Sequence, residues 1–181
     1  MRLESQIVAL DQAAIAIRYR VHNPGTEPVM ACDALLAIEP SGASRPDPEL
    51  AYVLPDGEDG ASVGKYLAAM PEGVLRESPE PALFREVPPG GTIDGLVRLP
   101  LPLRARHPYV HPPGRVESRV RQIRLTIGII EHRAVPPNRP LMRPYPAAPG
   151  LFLPTYGNAI QVQKHLSNTL PLPGSGVPAI W

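Results

Sequence analysis

The stretch Ile15–Ile38, IAIRYRVHNPGTEPVMACDALLAI, sets two apolar runs around a break containing Asn, Pro, Gly and Thr. In the first run Ile15, Ile17, Tyr19 and Val21 alternate with Ala16, Arg18, Arg20 and His22. Successive side chains of a strand point to opposite faces, so this pattern is a strand with one buried side. In the second run Met30, Cys32, Ala34, Leu36 and Ile38 form the apolar set. Making the two sets share a face predicts an antiparallel hairpin, with Val21 opposite Met30, Tyr19 opposite Cys32 and Ile17 opposite Ala34. A slip of one residue would carry Asp33 into the core. The same register puts Arg18 opposite Asp33 on the outer face, a favourable cross-strand pair. It leaves Pro24-Gly25-Thr26-Glu27 as the loop, because Pro-Gly alone favours a type II turn that splays the strands.

Working outward, TIDGLVRLPLPL places Ile93, Gly95, Val97, Leu99, Leu101 and Leu103 on one face. Pro100 and Pro102 lack amides on the same side, which makes this strand an edge. VPPGGT before it is a turn signal. RQIRLTIGIIEH supplies Ile123, Leu125, Ile127 and Ile129 as the inner face of a central strand. Leu3–Leu10 reads as the first strand and NAIQVQKHL as a late one, through Ile160, Val162 and Leu166. SVGKYLAAM reads as a strand, with a short helix as the alternative. No segment sustains a helical apolar period, and the 26 prolines disfavour long helices. Short strands between Gly/Pro turns predict an all-β, antiparallel sandwich of about seven to nine strands.

HNPGTEPV and VPPGGTIDGLVRLPL resemble strand and turn segments of bacterial immunoglobulin-like and fibronectin-III-like domains, over about Leu3 to His132. The resemblance implies an immunoglobulin-like frame for binding and no particular activity. The chain departs from antibody domains in lacking paired cysteines and a core tryptophan, since its one Trp is Trp181.

A chain of 181 residues is expected to form one domain, here 1–170. It includes a proline-rich extension, 133–158, whose Leu141, Met142, Tyr145, Leu151 and Phe152 carry too much apolar surface for a solvated linker. The extension is expected to lie against the sandwich or a second subunit. The Pro/Gly-rich tail 171–181 is either loose or docked through Ile180 and Trp181. The single cysteine, Cys32, forbids an internal disulfide. With no secretory signal at MRLESQIVAL and no apolar run long enough to span a bilayer, the expected location is cytoplasmic.

Charge divides the chain. Residues 1–97 carry seven basic and fifteen acidic side chains, whereas 98–143 carry ten arginines against Glu117 and Glu131. Acidic and basic strands that neighbour one another would neutralise this internally. The alternative is an anion or nucleic-acid binder through the arginine-rich 98–143 segment. Nucleic acid is disfavoured, because the whole chain is only +1 and lacks stacking aromatics.

No set of nucleophile, base and orienting group is legible. His107 and His111 are weak metal candidates, since Pro108, Pro112 and Pro113 deny them a helical face. Cys32 in mid-strand is expected to be a structural thiol. An enzyme, hydrolase-like or metal-dependent, would have to draw on His107, His111, His132, Glu131 and Tyr156. The leading expectation is a non-catalytic interaction or scaffold module using loops, a sheet edge and the extension. Its partner is an unidentified protein or a second copy of the chain, with no cofactor, metal or membrane. Candidate contact residues are Arg133, Arg139, Met142, Arg143, Tyr145, Phe152 and Trp181.

Overall fold

The computed structural model describes residues 1–72, 81–110, 116–131 and 141–181. In chain order its strands are β1 (Arg2–Leu10), β2 (Ala14–His22), β3 (Val29–Ile38), β4 (Ser44–Asp47), β5 (Tyr52–Asp56), β6 (Gly60–Lys65), β7 (Ala82–Val87) and β8 (Thr92–Pro100). There follow β9 (Leu103–Arg104), β10 (Glu117–Val120), β11 (Gln122–Glu131), β12 (Met142–Pro144) and β13 (Phe152–Pro154). The short helix α1 (Tyr156–Val162) precedes β14 (Lys164–Pro171) and β15 (Val177–Ile180). Among the described residues the fold is therefore all-β apart from one helix.

Three sheets form. The first is antiparallel, ordered β1-β2-β8, and the second, large sheet runs β12-β13-β7-β3-β11-β6-β5, with β14 beside β11 and β4 beside β3. The third is small, β10-β15-β9. One core joins them all, through Ile15, Ile17, Tyr19 and Val21 of β2, Val97 and Leu99 of β8, Ile123, Leu125, Ile127 and Ile129 of β11, and Val177 and Ala179 of β15. As the paired prolines predict, β8 ends its sheet. As its apolar run predicts, β11 is central. The expected all-antiparallel arrangement is corrected at two places: β6 runs parallel to β11, and β9 parallel to β15.

The two strands of the opening stretch form within a residue or so of their predicted bounds, but they do not pair. Both edges of β2 are taken, by β1 and β8, and β3 instead lies among β7, β11 and β4 in the large sheet. The reason is visible in VMACDALLAI. Every residue from Val29 to Leu35 is buried, and strands covered on both faces read as near-continuous apolar runs rather than as alternation. Val29 and Ala31 face the main core, whereas Met30 and Cys32 face a second cluster on the far side of the sheet, with Phe84, Leu67 and Ala159. The ladder to β7 shifts register between Cys32 and Ala34, and Asp33 pairs with Arg85 at 2.8 Å rather than with Arg18.

Residues 23–28 therefore carry the chain from one sheet to the other. Asn23 fixes that crossing. Its buried Nδ2 donates to the carbonyls of Glu27 at 2.8 Å, Val87 at 3.0 Å and Pro88 at 3.3 Å. Its backbone pairs with Gly91 and Gly90. This stitches the β2–β3 crossing to the β7–β8 crossing, which returns in the opposite direction. Gly90, at φ 69°, supplies the left-handed turn that VPPGGT predicts. Asn23→Ala leaves the buried Val87 carbonyl without its side-chain donor and removes the part-buried bonds to Glu27 and Pro88. Its expected cost is about 2–3 kcal/mol by urea denaturation.

Residues 159–162 correct a second expectation. Tyr156, Ala159 and Ile160 all reach the second cluster, and their spacing is that of a helix face. They form α1, so the late strand starts only at Lys164. The described part of the extension lies on the large sheet: Leu141 and Leu151 are buried, and Phe152 pairs with Phe84 of β7. The tail is docked, as β15, between β10 and β9. SVGKYLAAM is a strand up to Lys65.

Candidate interaction surface

The residues singled out by sequence separate into two places. Met142 and Phe152 pack on the second cluster and Tyr145 on a third, made of Ala34, Leu83 and Leu151. All three are half-buried there, and Arg143 is exposed. Trp181 lies elsewhere, packed on the main core beyond β15. Arg133, Arg139, His111 and His132 fall outside the described residues.

The remaining enzyme and metal candidates hold local structure. His107 Nδ1 accepts the amides of Tyr109 and Val110 at 3.2 and 3.1 Å, and its ring lies against Tyr52 at 5.2 Å. Tyr156 Oη accepts the Met70 amide at 2.7 Å and donates to the Ala68 carbonyl at 2.9 Å, tying α1 to the chain after β6. Glu131 pairs with Lys164 at 2.8 Å. Burial pushes the Cys32 thiol up, as befits a fully enclosed packing residue. Among the described residues no group of three or more His, Cys, Asp or Glu side chains could hold a metal ion. No helix among them is long and apolar enough to cross a membrane.

Charge is in part neutralised internally. Arg98 meets Glu49 at 3.1 Å and Arg124 meets Asp56 at 3.0 Å, so two arginines of the basic half close on carboxylates of the acidic half.

The most unusual buried group is Lys65. It is fully enclosed, at the end of β6, where β6 and β3 share one side of β11 and then diverge. Its ammonium donates to Tyr19 Oη at 3.0 Å and to the carbonyls of Asp33 at 3.1 Å, Leu96 at 3.4 Å and Pro48. These partners belong to β2, β3, β8 and the chain after β4. Burial lowers the Lys65 pKa to about 8 from its ordinary 10.5, against the pull of Cys32, Asp33, Asp47 and Glu49.

Between those two values the unfolded chain holds the extra proton, so stability rises with pH. Cys32 acts in the opposite sense above its ordinary value of 9.0, because only the unfolded thiol ionises there. The expected profile gains about 1 kcal/mol from about pH 7 to about pH 9 and then flattens. In Cys32→Ala it climbs to about pH 10. Urea unfolding at stepped pH reads both curves. A flat profile over the lower window rules out the lysine linkage.

Among the described residues, strand β10 of the small sheet pairs on one side only, with β15. Val116 exchanges both backbone hydrogen bonds with Trp181, at 2.8 and 2.9 Å. Antiparallel ladders alternate, so Ser118 and Val120 likewise address β15, and the N–H and C=O groups of Glu117 and Arg119 point to the open side. Beyond Val120 this side closes, since the Arg121 amide donates to the Asp59 carbonyl at 2.7 Å. Arg119 is held in place by Nε and Nη2, which donate to Ser175 and Gly176 at 2.9–3.1 Å. The outward face of the same strands forms a groove of about 600 Å³ lined by Pro102, Glu117, Ser118, Arg119, Pro178, Ala179 and Ile180.

No protein-family model matches the chain, no curated protein is significantly similar to it, and no solved structure matches it. The sequence names Trp181 as a candidate contact residue of the tail but does not announce β10. The signal was VESRV, a short alternation of valines with polar residues between a Pro-Gly break and the apolar run of β11.

Proposed function

We propose that the protein is a non-catalytic interaction module that receives an extended polypeptide segment along the open side of β10. The observation that carries this reading is the pair of outward main-chain positions, Glu117 and Arg119, beside a groove floored by Pro178 and Ile180. Strand addition takes affinity from main-chain hydrogen bonds and selectivity from alternate side chains. An arriving antiparallel strand would meet an acidic and a basic side chain two residues apart. It therefore needs a base facing Glu117 and an acid facing Arg119. The frame we read as a variant immunoglobulin-like sandwich, supported by two sheets that share one core and by chain crossings between them at residues 23–28 and 88–91.

The test uses a displayed library of ten-residue peptides selected on the immobilised protein. The expected binders carry acid and base two positions apart, and Glu117→Pro abolishes binding by removing one outward amide while leaving the bonds to β15 intact. Binders that hold Glu117→Pro as tightly as the parent would place recognition elsewhere.

A further inference from the structure

Resting on the reading of β10 as a docking edge, we infer that its partner is β10 of a second copy, paired antiparallel about a two-fold axis through Ser118. The segment Val116–Val120 is Val-Glu-Ser-Arg-Val. Turned end for end against itself about Ser118, it sets Glu117 opposite Arg119, Ser118 opposite Ser118 and Val116 opposite Val120. Each of the two Glu–Arg pairs is attractive, and opposite charges directly across a ladder stabilise it. Registers one step away on either side put Glu117 against Glu117, or Arg119 against Arg119, so the charges select one alignment and oppose its neighbours.

The main chain selects the same alignment. Glu117 and Arg119 are the positions whose N–H and C=O point outward, so in this register each Glu117–Arg119 pair exchanges two hydrogen bonds, four in all. Arg119 is already oriented by its bonds to Ser175 and Gly176 through Nε and Nη2. Its Nη1 is left to meet the carboxylate of the second copy. The result is a continuous six-stranded sheet, β9-β15-β10 followed by the same three strands in reverse. Isologous contacts of this kind close on themselves and stop at a dimer.

Ser118 offers the sharpest test. On the axis it forms a non-hydrogen-bonded pair with its own copy, with Cα atoms about 4.5 Å apart, within the span a disulfide tolerates. The only native cysteine, Cys32, is fully buried. Ser118→Cys treated with oxidised glutathione is therefore expected to give a disulfide-linked dimer at least tenfold faster than Glu117→Cys or Arg119→Cys. Sedimentation equilibrium of the parent chain should show a dimer whose Kd rises at least tenfold in Glu117→Arg, with unchanged thermal unfolding of the cross-linking variants confirming that they are folded. A parent chain that stays monomeric at about 0.5 mM, or cross-linking no faster at 118 than at 117, overturns the proposal. A monomer that still binds library peptides in a Glu117→Pro-sensitive manner ends self-pairing and keeps the docking reading. A monomer that binds none ends both.

Discussion

Lys65→Met is expected to lower stability by about 3–5 kcal/mol, because several acceptors lose one shared donor together at roughly 1–3 kcal/mol each, less the burial cost of the ammonium that its lowered pKa records. The side chain is fully enclosed, and its ammonium is shared among three carbonyls and Tyr19 Oη. Buried ion pairs can often be replaced by apolar residues without loss, because both charges leave together. That escape is closed here. The acceptors are the backbone carbonyls of Asp33, which is buried, and of Pro48 and Leu96, which are partly so; no substitution removes them, and an acceptor buried without a donor bears its desolvation cost. Methionine matches the stem of lysine in length, so the cavity term stays small and the loss reports the ammonium. Lys65→Arg should not restore stability, since a planar fork cannot aim its donors at acceptors converging on one point. The measurement is the urea midpoint at constant slope. A loss below about 1 kcal/mol would mean that water or rearranged chain satisfies those carbonyls.

Much of the fold was legible because alternation survives wherever one face of a strand meets the core. β1, β2, β8 and β11 form where their patterns put them, and Pro100 and Pro102 mark β8 as an edge. The pairing of β2 with β3 was not legible, for a physical reason. In β3 both faces are buried, so assigning the even-numbered positions to one core hid Val29, Ala31 and Leu35, which are equally enclosed. A turn signal such as Asn23-Pro24-Gly25 states that the chain reverses or crosses. It does not state whether the next strand joins the same sheet. That is decided by Asn23 and its bonds to Val87 and Pro88, some sixty residues away.

The candidate surface was legible only in fragments. Glu117 reads as one of two acids in a basic segment and Trp181 as a tail anchor, but an open strand side is a property of what fails to pair with it. Local sequence does not carry that. Lys65, in a run of small and apolar residues, was the one clue to a buried charge, and its partners lie on four separate segments.

Gly95→Ala tests the other half of the Lys65 arrangement and has the second largest expected effect, about 2–4 kcal/mol. Gly95 lies opposite Tyr19 in the β2–β8 ladder, and a Cβ at this position would enter the space of the Tyr19 ring at Cζ and Oη. The ring crosses the strand where glycine leaves room and delivers its hydroxyl to Lys65 at 3.0 Å. An added methyl forces the ring aside, so the ammonium loses a partner at the same time as the core is overpacked. By propensity alone Gly→Ala within a strand would be neutral or mildly favourable, which makes the sign of the effect diagnostic. In a Tyr19→Leu background the shorter side chain no longer lies over residue 95, and Gly95→Ala is expected to cost less than about 0.5 kcal/mol. The difference between the two backgrounds is the coupling between ring and glycine, and it should reach about 2 kcal/mol. An equal cost in both backgrounds would show that Gly95 is required for reasons independent of Tyr19, and the account of how the two sheets are tied at Lys65 would have to be rebuilt without the phenol.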